Sequence, residues 1–333
     1  MKKYLIFLIF LITLISCTKQ ESQHSEKEYE SSIRIAVIES FLPKQNLKNI
    51  NRNFSTREKT DIQLDFYPNY KSFKRTVPQK NTDIIIGLRD YNSYHYKLDS
   101  LFIPLQSLSE KSTILDSVYL PFCYNFLSFT VNKEMNQKVP RTLALLTNGD
   151  LNKQFIMFHP DSTQIGLESL YFTVSTFGEY GFRHFWRGFK ENISHIEADT
   201  NAGLDKFMAS DSPFILSYLT LSKMLKKEFK VDNYESFTTQ EGCFRIQMGA
   251  AILKHSKNMQ LSKKYLAYLL KDKTQSLIEN KLYMFPINQD SDNPNYVSRF
   301  NLPQKRFNRQ FPKNYTKDDL EIWMKKWKKE VVY

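Results

Sequence analysis

The sequence predicts an α/β protein of two lobes, joined by two crossover strands with a cleft at the hinge. The first observation is a pair of long, extended apolar runs, 120–132 (LPFCYNFLSFTVN) and 241–253 (EGCFRIQMGAAIL). Each is rich in aromatic and branched residues, and each carries a cysteine near its start, Cys123 and Cys243. The second observation is the pattern around them. Short apolar strands alternate with helical stretches both before the first run and between the two, as parallel α/β units do. The chain then leaves one lobe through the first run, builds the second lobe, and returns through the other run. Clefts between lobes are common ligand sites. A single long sheet with an inserted region gives the same pattern. The expected boundaries are 33–122 with 246–300 for lobe 1, 123–245 for lobe 2, and 301–333 for a helical tail packed on the lobes.

Residues 1–17 read as a targeting segment. Lys2 and Lys3 form a basic start, 4–12 an apolar run, and Leu14-Ile15-Ser16-Cys17 matches the lipobox of bacterial lipoproteins. The apolar run is short for a bilayer span, which favours a removed signal with a lipid on Cys17. Residues 18–32 are polar with almost nothing to bury, and read as a tether. The expected product is an exported lipoprotein held at a membrane.

The formal charge of +12 falls to +10 without Lys2 and Lys3. Lysine and arginine are spread thinly with no arginine-rich block, so nucleic acid is not an expected partner. Nine glycines, with no GxGxxG or P-loop, argue against a phosphate-cradling loop. The six histidines are scattered, and no CxxC or HExxH occurs, so neither a metal nor a cofactor is expected. The 19 tyrosines and 26 phenylalanines supply ample core and stacking surface.

In chain order, 33–40 (IRIAVIES), 61–67 (DIQLDFY) and 82–88 (TDIIIGL) read as the strands of the first lobe. Ligands bind beyond the carboxyl ends of parallel strands, which nominates Glu39, Ser40, Asn69, Tyr70, Arg89 and Asp90. Strand 154–158 runs into His159-Pro160-Asp161-Ser162-Thr163-Gln164-Ile165-Gly166 and an amphipathic run over 167–177. Short polar residues before a helix are N-caps, and the same free backbone N–H groups hold anions. Strand 213–219 ends near Tyr218, a core residue or one wall of an aromatic site. A helix is expected over 261–280, ending in a turn that carries Tyr283. The tail 316–329 opens with a capping-box pattern, Thr316 and Asp319, and sets Leu320, Trp323 and Trp327 on one face for docking.

Taken together, TDIIIGL, LPFCYNFLSFTVNK, HPDSTQIG, FILSYLT, EGCFRIQMGAA, YMFPI and WMKKW resemble the thiamine-binding proteins of bacterial ABC transporters. That family lies within the type II extracytoplasmic solute-binding proteins, and the resemblance runs from about Ile33 to Trp327. It implies a two-lobed, type II periplasmic-binding-protein-like fold, a ligand of thiamine or its phosphate esters, a permease partner and a monomer. It also implies that Tyr218 and Tyr283 stack on the ligand, Tyr283 standing where the family has tryptophan. Thr163 and Gly166, beside Ser162, fall on the phosphate-binding turn. The sequence departs from the family at Asn69 (an aspartate there), Ile38 (a tyrosine) and Thr200 (a tryptophan). Glu39 and Glu241 offer compensating charge at the hinge.

A second resemblance, to type I thiaminase, implies an enzyme with Cys123 as nucleophile and Glu241 as base. Three readings compete for Cys123 and Cys243: buried thiols packing as small hydrophobes, a disulfide, and this nucleophile. The first is expected ahead of the others.

Overall fold

Strands β1 (Ser31–Ile38), β2 (Thr60–Tyr67) and β3 (Ile84–Arg89) lie side by side in parallel in the order β2-β1-β3. Parallel neighbours need a crossover, and α1 (Lys44–Glu58) and α2 (Tyr70–Thr76) supply it. Helix α1 sits on the sheet through Leu47, Ile50 and Phe54, which fall on one face at helical spacing. The computed structural model describes residues 29–38, 44–76, 80–89, 91, 100–105, 118–136, 138–288, 302, 305–310 and 315–332. Cys17, Glu39, Ser40 and Asp90 lie outside the described residues.

The runs singled out in the sequence are β4 (Leu120–Asn132), buried at every position, and β9 (Phe244–Ile252). They pair antiparallel from Leu120↔Ala250 to Leu127↔Phe244. On its other edge β9 pairs with β3, Ile84↔Ile252 to Arg89↔Met248. Beyond Leu127 strand β4 changes partners, to β7 (Phe214–Tyr218) on one edge and β8 (Tyr234–Phe237) on the other. Strand β7 continues in parallel into β5 (Phe155–Phe158) and β6 (Ile193–Glu197). Hydrogen bonding is therefore continuous along β2-β1-β3-β9-β4-β7-β5-β6, with a parallel half at each end and the two crossover strands between.

Gly87 marks the junction. The β3–β9 register slips between Ile86 and Leu88, and Gly87 there has φ +87, with a Cβ colliding with the Ile38 carbonyl. A bulge of this kind re-aims the next side chains, here Leu88 and Arg89. The helix after β5 is longer than the sequence indicated. Helix α3 (Gln164–Phe189) continues past residue 177 through a kink at Gly178, φ +72. Helices α4 (Thr200–Met208) and α5 (Leu221–Glu228) complete this half.

The helix expected over 261–280 is broken into α6 (Met259–Leu269) and α7 (Asp272–Leu277), then a π-turn over Ile278–Leu282. A two-residue strand β10 (Phe285–Pro286) pairs with Cys123 and Tyr124 of β4. The last helix, α8 (Lys317–Val331), opens with the Thr316–Asp319 capping box. Trp323 and Trp327 are each 1% exposed, and Trp327 meets Trp186 of α3 edge-on at 5.8 Å.

Candidate functional site

The carboxyl ends of β3 and β7 and the start of α3 converge where the two halves of the sheet meet. Arg89 closes β3, Tyr218 closes β7, and Glu168 sits in the second turn of α3. Arg89 Nε donates to Glu168 Oε1 at 2.7 Å, and both side chains are 0% exposed. The Tyr218 hydroxyl donates to Glu168 Oε2 at 2.7 Å and accepts from Arg89 Nη2 at 3.1 Å. Tyr91 donates to Glu168 Oε1 at 3.0 Å, and Gln164 Nε2 in turn donates to Tyr91. Burial works against the Arg89 charge, but Tyr218 and Glu168 outweigh it, and the guanidinium is held well above its usual range. Burial, then the Glu168 charge, pushes the Tyr91 phenol well up. Deleting one member of such a pair leaves a buried charge alone, at a cost of about 3–5 kcal/mol.

Tyr283 approaches from the other end of the chain. It follows the π-turn in the left-handed region, φ 56 and ψ 39, a conformation that costs a non-glycine residue about 1–2 kcal/mol. Its carbonyl accepts from Thr220 Oγ1 at 2.5 Å and Asn125 Nδ2 at 3.2 Å, and these contacts pin the turn. Its hydroxyl donates to Glu228 Oε1 at 2.5 Å. Burial first, then Glu228, pushes the Tyr283 phenol up, while the hydrogen bond from Tyr283 lowers Glu228. Tyr218 and Tyr283, 3% and 4% exposed, line one cavity of about 10 Å³ with Thr220, Met224, Leu282 and Met284. A cavity of that size holds at most one water.

The turn before α3 faces the first half of the chain. Asn69 Nδ2 donates to the Ser162 carbonyl at 2.7 Å, and Lys71 pairs with Asp161 at 2.9 Å. Thr163 is the N-cap, its hydroxyl accepting from Gly166 N at 3.1 Å and donating to the His159 carbonyl at 3.1 Å. Gly166 packs so closely on the preceding strand that a Cβ would lie 2.6 Å from the Phe158 carbonyl oxygen. His159 meets Trp327 edge-on at 5.2 Å, and burial, then Lys328, lowers its imidazole.

Other nominated residues lie elsewhere. Tyr70 opens α2 and packs on Phe73; Ile38 is core; Thr200 opens α4. The proposed pair of Cys123 and Glu241 is a correction. Cys123 pairs with Met248 in the middle of the β4–β9 ladder, whereas Glu241 precedes β9 altogether. Glu241 is exposed and accepts from Leu143 N at 3.0 Å, at the start of the helical turn Leu143–Leu146. The cause is the antiparallel pairing, which sets the starts of the two strands at opposite ends. It also separates the cysteines: both are free and buried, as the thiol-packing reading expects. Burial pushes the Cys123 thiol up, the opposite of an activated nucleophile. Among the described residues no group of three or more His, Cys, Asp or Glu is placed to hold a metal ion.

Sequence reasoning nominated Arg89 and Tyr218 but missed Glu168, Asn125 and Tyr91. Glu168 carried a signal, as the one charged residue between Gln164 and Gly178.

The profile of the bacterial extracellular solute-binding proteins matches residues 92–309. The chain belongs to this family. Among relatives of this solute-binding protein, the thiamine-binding periplasmic protein of Brucella abortus biovar 1 (strain 9-941) is 22% identical over 250 residues, 74% of each chain. The thiamine-binding periplasmic protein of Escherichia coli (strain K12) is 25% identical over 173 residues, 52% of each. Among solved structures, a periplasmic thiamin binding protein superposes with TM-score 0.73 at 18% identity, covering 90% of this chain and 96% of that one. Iron-bound HitA from Pseudomonas aeruginosa gives 0.71 at 12% identity, covering 90% and 99%. AfuA from Actinobacillus pleuropneumoniae, with fructose-6-phosphate bound, gives 0.73 at 14%, covering 91% and 99%. The α/β fold is that of the periplasmic binding proteins, and it serves ligands as different as iron and a sugar phosphate. No helix among the described residues is long and apolar enough to cross a membrane.

Proposed function

We propose that this solute-binding protein is the lipid-anchored receptor of an ABC importer, capturing thiamine or its phosphate esters by closing two lobes around them. The observation that carries the reading is the meeting of Tyr218 and Tyr283 on one cavity at the junction of the sheet halves, in a chain whose relatives are thiamine-binding periplasmic proteins. Thiazolium is a permanent cation, and a tyrosine face contributes about 0.5–2 kcal/mol to holding one. The start of α3, at Ser162, Thr163 and Gly166, faces the first lobe through Asn69 and has the polarity to receive a phosphate tail. The hinge is the stretch of β4 around Leu127, where both edges change partners. Lobe opening there separates Asn69 from Ser162 and Arg89 from Glu168, and closure around ligand restores a buried site. Cys17 carries the lipid, the polar tether follows it, and a permease accepts the loaded monomer.

The test is titration of the chain from residue 18 with thiamine and with thiamine monophosphate, followed by calorimetry and by chromatography for pyrimidine and thiazole fragments. Saturable 1:1 binding without fragments is expected. Fragments that appear with an added nucleophile would instead establish an enzyme, and no binding of either compound would remove thiamine as the ligand.

A further inference from the structure

Tyr218 and Tyr283 line the cavity at the junction, and each sends its hydroxyl to a carboxylate. The two carboxylates differ in what else holds them. Glu168, behind Tyr218, is neutralised by Arg89 at 2.7 Å, and the same guanidinium reaches the Tyr218 hydroxyl. Glu228, behind Tyr283, takes its hydrogen bonds from neutral donors. The Tyr283 hydroxyl reaches its Oε1 at 2.5 Å, and Asn46 Nδ2, from α1 of the first half, reaches the same oxygen at 2.9 Å. Glu228 is also the last residue of α5, and the partial charge of that helix end favours cations. A carboxylate there works against its own helix, so helix stability does not account for it. The proton of the pair stays on the phenol, since Tyr283 is pushed up and Glu228 lowered.

A cation is drawn to a tyrosine face by the negative charge of its π system. A phenol that donates to a carboxylate gains electron density in its ring, because hydrogen-bonded groups polarise one another. The Tyr283 ring is therefore more negative than that of a phenol bonded to water. At Tyr218 the Arg89 guanidinium opposes the same effect. We propose that Glu228 is a specificity-determining residue: acting through the Tyr283 hydroxyl, it makes the cavity select a ligand with a permanent positive charge. Asn46 belongs to the other half of the protein, so it holds the carboxylate in place in the closed form, where the selection is exerted. This rests on the thiamine reading and deepens it, by naming the residue that distinguishes a thiazolium from a neutral ring of the same shape.

The experiment titrates the chain from residue 18 with thiamine and with its neutral isostere, in which carbon replaces the thiazolium nitrogen. The same two ligands are then applied to Glu228→Gln, Tyr283→Phe and the double variant. The unaltered chain should bind thiamine about tenfold or more tightly than the isostere. Each single variant should lower that ratio about fivefold, by weakening thiamine while the isostere is nearly unaffected. The double variant should fall no further, since each substitution removes the same bond. Circular dichroism checks the variants. Glu228 is exposed at a helix end, so Glu228→Gln should melt like the parent, and it decides the matter alone if Tyr283→Phe fails to fold. Equal binding of the two ligands by the unaltered chain would overturn the proposal and leave the thiamine reading in place. A Glu228→Gln variant that weakens both ligands alike would do the same. Binding of neither compound would remove both readings together.

Discussion

Asn69 donates its side-chain amide to the backbone carbonyl of Ser162 at 2.7 Å, while its own oxygen accepts from Ser72 N at 2.8 Å. One residue caps α2 and reaches across to the turn before α3. Asn69→Asp keeps the capping oxygen and sets an acceptor against the Ser162 carbonyl. The melting temperature should change little, while affinity for thiamine or its monophosphate drops several-fold and scattering shows a more open molecule. Asn69→Ala, by contrast, should also lose about 1 kcal/mol of stability with the cap. Equal melting losses in the two variants would show that the cap contributes nothing of its own, and unchanged affinity in Asn69→Asp would show the same of the cross-lobe bond.

The thiols should be silent in the native protein. Cys123 and Cys243 are each 1% exposed, and burial pushes the Cys123 thiol up. A thiol reagent at pH 8 should label neither in the folded chain from residue 18, and both on unfolding, with no reductant required. One or no titratable thiol in the unfolded, unreduced chain would contradict the free pair.

Docking of the C-terminal helix should depend on acidity. Glu330, 7% exposed, accepts from Arg183 Nη2 at 2.5 Å and Arg187 Nε at 3.0 Å, and those arginines, Arg187 first, lower its carboxyl below the ordinary 4.5. A lowered folded value means the contribution is complete above the unfolded value and is lost as pH falls through the folded one. Glu330→Gln should therefore cost about 1 kcal/mol at pH 7. The difference from the parent should shrink below pH 4.5. A gap that stays constant down to pH 3 would assign the effect to packing instead.

Glycine positions should separate cleanly. A Cβ at Gly166 would meet the carbonyls of Phe158 and His159 at 2.6 and 2.7 Å, and backbone cannot move aside as a side chain does. Gly166→Ala should cost about 1–3 kcal/mol in urea unfolding and displace the start of α3. At Gly149 nothing lies within 4 Å of a Cβ, so Gly149→Ala should stay within about 0.5 kcal/mol of the parent.

The fold was legible because its strands are short apolar runs between helical stretches. The runs at 61–67, 154–158 and 213–219 match β2, β5 and β7 to within a residue at each end. The break between α6 and α7 escaped notice because the apolar spacing carries through it; the chain turns at Lys271, which takes an extended ψ of 140. Strand β6 was missed because most of its positions are only half-buried and it has little apolar signature. At the site, strand ends pointed to Arg89 and Tyr218, since position along a parallel strand is a local property. Glu168 pairs with a residue far away in the chain, and no local pattern records such a pairing. Cys123 and Glu241 looked like neighbours because each stands near the start of an apolar run, and only the direction of pairing reveals that the starts lie apart.

The pairing of β3 with β9 has a consequence for biogenesis. Ile84, Ile85 and Ile86 are sealed by Ile252, Ala251 and Ala250, which leave the ribosome only after the whole intervening half has been made. Until then the edge of β3 is open, and closing so long a loop is entropically slow. An exported chain gains from that order, because a protein that cannot complete its first sheet early stays threadable for translocation.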